Sequence, residues 1–147
     1  VGLSVHGQYR IATERILFAM PETGIGYFPD VGGSYFLPRC PGAIGMYLGL
    51  SGARLKVGDS LAAGIATDYV PSSGVDELVE KFENIDPGAD ASIKIKEILA
   101  EVAGTAESET VLGCRPLIDQ CFSGASLEEV LEANRKNIEE VYGIAMC

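Results

Sequence analysis

The sequence predicts a mixed α/β region over residues 1–74 followed by an acidic helical region over residues 75–147. Three observations carry this reading. Thirteen of the 18 glycines lie in residues 1–74, where they mark the turns between short elements. Five acids and five bases balance there, whereas 16 acids against six bases give residues 75–147 the whole formal charge of −10. Short apolar runs dominate the first region, and apolar stripes at helical spacing dominate the second.

Val1 to Gly7 reads as a helix or half-helix with no N-cap before it, which makes the chain an expected piece of a longer protein. Tyr9-Arg10-Ile11-Ala12 and Leu17-Phe18-Ala19-Met20 have strand character, and Pro21 ends the second run. A loop dense in Gly and Pro follows to Gly33. Ser34–Leu37 reads as a short helix stopped by Pro38 and Pro41. Ile44–Leu50 is a second helix with Gly52 as its C-terminal stop, and Val57–Ala63 a third ended by Gly64. Ile65–Val70 is β-like and closes at Pro71.

Beyond Ser73 the pattern is helical. Ser73 and Asp76 resemble a capping pair ahead of an apolar face of Leu78, Val79 and Phe82. Ile95, Ile98, Leu99 and Val102 follow the i, i+3, i+4, i+7 spacing. Cys114–Phe122 is a shorter candidate. Ser126-Leu127-Glu128-Glu129 is a capping box opening a stripe of Leu127, Val130, Leu131, Ile138 and Val141. Such stripes face a core or a partner, which leaves room for a homo-oligomer.

Composition narrows the function classes. Hydrophobic residues at 47% and charged residues at 22% describe a globular chain. An acidic chain without a basic stripe argues against a nucleic-acid partner. No apolar run approaches the ~20 residues of a membrane helix, and no membrane partner is expected. His6 is the only histidine, so a multi-His metal site within this chain is excluded, and His6 reads as structural. Cys40, Cys114, Cys121 and Cys147 lack C-x-x-C spacing, so no metal site is expected. Their pattern suggests a reducing, intracellular compartment.

The richest stretch for chemistry is Met20-Pro21-Glu22-Thr23-Gly24-Ile25-Gly26-Tyr27-Phe28-Pro29-Asp30-Val31-Gly32-Gly33. Glu22 and Asp30 lie among glycines, which permit close backbone approach, and apolar residues, which exclude water. Two carboxylates so placed can divide acid and base roles. They can equally brace loop amides, and spacing alone leaves both readings open.

Together with Val1-Gly2-Leu3-Ser4-Val5-His6-Gly7, Arg10-Ile11-Ala12-Thr13-Glu14, Phe28 to Leu37, Leu50 to Leu55 and Ala63 to Thr67, this stretch resembles the crotonase superfamily. The resemblance is close over the first half. It implies an incomplete crotonase-like ββα spiral, its N-terminal part missing, followed by a helical C-terminal region. Glu22 matches the second glutamate of the hydratases in that superfamily. Gly2 occupies the position of their first, and Asp30 stands where they carry glycine. These departures point to the branch that hydrolyses 3-hydroxyisobutyryl-CoA, in valine breakdown, to 3-hydroxyisobutyrate and CoA.

The resemblance then implies Glu22 as nucleophile or general base and Asp30 as partner of the substrate hydroxyl. Glu22, Ile25, Gly26 and Asp30 would line the substrate. No cofactor is expected, because CoA is part of the acyl-CoA substrate. Arg15, Arg39, Arg54 and Lys56 are the nearest bases for CoA phosphates. The implied compartment is the mitochondrial matrix in a eukaryote or the cytoplasm in a bacterium. The alternatives are hydration or isomerisation of acyl-CoA, and a non-catalytic role like that of relatives in mitochondrial ribosomes.

Overall fold

The computed structural model describes residues 1–86, 88, 90–107 and 111–137. Ile138 and Val141, the end of the last predicted stripe, and Cys147 lie outside the described residues. In order, the elements are β1 (Ile11–Ala12), α1 (Gly33–Phe36), α2 (Ile44–Ser51), α3 (Val57–Ala62), β2 (Asp68–Tyr69), α4 (Val75–Glu83), α5 (Ala91–Val102), α6 (Arg115–Phe122) and α7 (Leu127–Lys136). Single 3-10 turns stand at Glu22–Ile25, Leu37–Arg39, Ser72–Gly74 and Leu112–Cys114.

β1 and β2 pair in parallel, with Ile11 opposite Asp68 and Ala12 opposite Tyr69. Arg10 reinforces the pair from its edge. Its guanidinium donates to the carbonyls of Gly7 at 2.6 Å, Gly64 at 2.8 Å and Ile65 at 2.8 Å. Such a side chain is engaged in backbone stapling, a role that its sequence context did not announce.

The predicted strand at Leu17–Met20 is only a single antiparallel bridge. Phe18 and Leu55 exchange both backbone hydrogen bonds, at 3.0 and 2.8 Å. Phe18 and Met20 still alternate inward and are buried. Val1–Gly7 is likewise no helix but a turn, with the Val1 carbonyl accepting from Ser4 and Val5.

The main core joins early and late segments of the chain. Phe18, Met20, Leu37, Ile44, Leu48 and Leu55 pack in one cluster with Leu112, Ile118, Cys121, Phe122 and Val130. A smaller cluster forms where Leu78 of α4 and Leu99 of α5 meet Val70. Ile95, Ile98, Val102 and Phe82 border it as their spacing predicts.

Three expected helix features differ. No side chain caps α4, so Ser73 and Asp76 do not form the predicted pair. The carboxylate of Glu14 instead reaches across to the Ser72 amide at 2.9 Å. Val79 is exposed because α4 turns Leu78 inward, and a neighbour in sequence lies about 100° around the helix. Leu127 and Leu131 are also exposed. α7 presents Val130 and Asn134 inward, the latter donating to the Cys121 carbonyl of α6 at 3.2 Å.

The Ser126 cap does form, accepting from the Glu129 amide at 3.3 Å, while the Glu129 carboxylate accepts from Ala125 at 2.8 Å. Among the described residues no helix is long and apolar enough to cross a membrane.

Candidate active site

Glu22 opens the 3-10 turn Glu22–Ile25, which packs against the C-terminal end of α2. Met20, just before it, is buried. The Thr23 hydroxyl donates to the Leu50 carbonyl at 3.2 Å. Gly52, at φ 64°, ends α2 directly under Pro21, and a Cβ there would lie 3.0 Å from Pro21 Cα. Glycine suits both the left-handed backbone and the close approach. The turn closes with Gly24 and Gly26 donating to Pro21 and Thr23, and Tyr27 donating to the Glu22 carbonyl.

This framework leaves Glu22 half-buried. Its Oε2 is shielded from solvent and has no hydrogen-bond partner. Buried polar atoms are nearly always paired, so an unpaired, shielded carboxylate oxygen calls for an explanation, a catalytic role among them. Asp30 is different. It is exposed, and its Oδ1 accepts from the following amide, Val31, at 2.7 Å. Its carbonyl accepts from Gly33 at 2.8 Å. The two acids share one loop, but no hydrogen bond joins them among the described residues.

Not all of the loop's apolar residues are withdrawn from water. Ile25 is 84% exposed and Gly26 is exposed. Tyr27 and Phe28 stack with centroids 4.3 Å apart and are also accessible. Thr23, Tyr27, Phe28, Leu37, Met46 and Phe122 help to line a mostly apolar cavity of about 770 Å³. Sequence reasoning did not single out Thr23 or this cavity, since its walls come from segments some 100 residues apart.

The remaining chemistry-bearing side chains have other tasks. His6 sets its ring edge-on to Tyr35 and Phe36, at 5.6 and 6.3 Å. Arg39 lies 3.7 Å over the Tyr35 ring and donates to its carbonyl. Arg15 pairs with Glu14 on the surface. Burial pushes the Cys40 thiol up, which disfavours the thiolate that nucleophilic chemistry needs. Among the described residues, no group of three or more His, Cys, Asp or Glu side chains could hold a metal ion.

Residues 1–142 match the model of the enoyl-CoA hydratase/isomerase family. The chain belongs to this family. Within it, the chain is similar to the mitochondrial 3-hydroxyisobutyryl-CoA hydrolases of Rattus norvegicus, at 45% identity, and Homo sapiens, at 44%. These matches cover 93% and 90% of the chain but 36% and 35% of the relatives. The chain thus spans about a third of the length of the curated relatives it matches.

A small ribosomal subunit protein of Neurospora crassa is 42% identical, over 95% of the chain and 29% of that protein. Among solved structures, a carnitinyl-CoA dehydratase from Mycobacterium thermoresistibile aligns with TM-score 0.77 and 32% identity, covering 92% of this chain and 38% of that one. An enoyl-CoA hydratase from Rhodobacter sphaeroides aligns with TM-score 0.71 and 34% identity, over 90% and 36%. The fold is therefore crotonase-like, and the few strands in a mostly helical chain correspond to part of that fold.

Proposed function

We propose that this chain is the acid-bearing part of a hydrolase that cleaves 3-hydroxyisobutyryl-CoA to 3-hydroxyisobutyrate and CoA. The observation that carries the proposal is the shielded, unpaired Oε2 of Glu22 in a chain 45% identical to hydrolases of that name. In this reading Glu22 either takes a proton from the water that attacks the thioester carbonyl, or attacks it directly to form an acyl–Glu22 anhydride that water then cleaves, releasing 3-hydroxyisobutyrate and restoring the carboxylate. The carbonyl carbon gains an oxygen, its bond to sulphur breaks, and the sulphur leaves as the CoA thiol after taking up a proton. A carboxylate oxygen without protein partners can make the new contact without first breaking an old one.

Asp30 accepts a hydrogen bond from the substrate hydroxyl, and Ile25 and Gly26 flank the acyl group. The accessible position of Asp30 suits a polar substituent of the ligand. The neighbouring cavity is suited to apolar substrate atoms, because Thr23 lies on its wall directly beside Glu22. No cofactor enters the reaction. The mitochondrial naming of the relatives supports a matrix location in a eukaryote, with the cytoplasm as the bacterial counterpart.

The similarity to a ribosomal protein is nearly as high as that to the hydrolases, so overall identity does not separate an enzyme from a scaffold. The unsatisfied carboxylate oxygen of Glu22 supports the enzyme, since a scaffold gains nothing from it. The test is release of free CoA from 3-hydroxyisobutyryl-CoA by the full-length protein, measured beside water addition to crotonyl-CoA. CoA release without hydration is expected. Efficient hydration with negligible CoA release, or neither reaction, overturns the proposal.

A further inference from the structure

The backbone beyond Asp30 is unusual. Val31 has φ 45°, and a β-branched residue in that left-handed region is a genuine outlier. Gly32 follows at φ 86°. Such strain persists only where surrounding contacts hold it. Here the surroundings are the N-terminal turn. A Cβ on Gly2 would stand 2.9 Å from Val31 Cβ, so the valine is seated where residue 2 has no side chain. A Cβ on Gly32 would stand 2.8 Å from His6 Nε2, so the next residue is pressed against the same turn. His6 is itself held by Tyr35 and Phe36 of α1.

We infer that Val31 is a positioning residue, and that its seat on Gly2 sets the direction of the Asp30 carboxylate. The link is short. The Val31 amide donates to Asp30 Oδ1 at 2.7 Å, so rotation of the peptide at residue 31 carries the carboxylate's partner with it. A residue free to relax from φ 45° rotates that amide and releases the oxygen. The inference rests on the proposed role of Asp30 towards the substrate hydroxyl, and it extends that role to a residue that never touches substrate.

The experiment uses the full-length protein with two substrates, 3-hydroxyisobutyryl-CoA and isobutyryl-CoA, which lacks the hydroxyl. The readout is the ratio of their kcat/KM values, with thermal unfolding recorded for every variant. Val31→Gly, which removes the seated side chain, lowers the ratio about tenfold, and so does Gly2→Ala, which pushes a methyl against Val31. Val31→Asn keeps a Cβ on Gly2 and suits left-handed backbone, so it holds the ratio within about threefold of the parent.

An equal fall with both substrates, or equal ratios for the Gly and Asn variants, overturns the inference. Asp30→Asn separates the two levels. If it lowers the ratio while Val31→Gly and Gly2→Ala do not, the positioning role fails and the role of Asp30 stands. If it leaves the ratio unchanged, the reading of Asp30 fails and the role of Val31 fails with it.

Discussion

Asp59, buried on α3, accepts a hydrogen bond from the backbone amide of Leu112 at 2.8 Å. A second carboxylate makes the opposite connection: Asp119 of α6 accepts from Ala43, at the start of α2, at 2.7 Å. Each acid thus satisfies an amide at the opening turn of a distant element, as a cap from the same chain segment would. The elements that support the Glu22 turn are thereby tied to α6. Asp59→Ala leaves a buried amide unpaired and is expected to destabilise the protein by about 1–3 kcal/mol, with Asp59→Asn, which retains an acceptor, losing less. Urea unfolding midpoints at constant slope check the order.

Glu22→Gln separates chemistry from stability. The amide has nearly the same shape but is neither nucleophile nor base, so CoA release is expected to fall on the order of a thousandfold or more. The Oε2 it replaces has no partner to lose, so the unfolding temperature should change little. Turnover within tenfold of the parent removes Glu22 from the mechanism.

Gly2→Glu introduces an acid at the position that the resemblance equates with the first glutamate of the hydratases. Val31 already fills the space that its Cβ needs. The variant is expected to lose CoA release without acquiring water addition to crotonyl-CoA. Appearance of hydratase activity in this single variant shows that the Val31 contact yields readily.

The link between Glu14 and Ser72 makes a pH prediction. Hydrogen bonds from the Ser72 side chain and backbone amide hold the Glu14 carboxyl below its ordinary value. A folded-state value below the unfolded one contributes stability that is present above the unfolded value and is lost as pH falls through the folded one. Glu14→Gln therefore lowers stability near neutral pH and flattens its decline on acidification below about pH 4.5. Chemical unfolding at a series of pH values gives the comparison. Parallel stability–pH curves for parent and variant contradict it.

The features legible in the sequence are those decided within a few residues. Gly52 and Gly64 end their helices because their left-handed backbone suits glycine, and Ser126 caps because Glu129 lies three positions on. Helical spacing placed Leu78, Ile95 and Leu99 inward. The Gly-rich loop and its two acids were likewise visible as a local pattern. Periodicity names a face but not what covers it: Val79, Leu127 and Leu131 share the spacing of a face that meets a core or a partner, and in this chain they are exposed. Local pattern also said nothing of how the loop's two ends differ. Only tertiary contacts shield Glu22 against α2, leave Asp30 accessible, and seat Val31 on Gly2. The carboxylates of Asp59 and Asp119 find their amides 53 and 76 residues away. The physical reason is that caps and helix periods are set by neighbours along the chain, whereas burial and unpaired polar atoms depend on which distant segments meet.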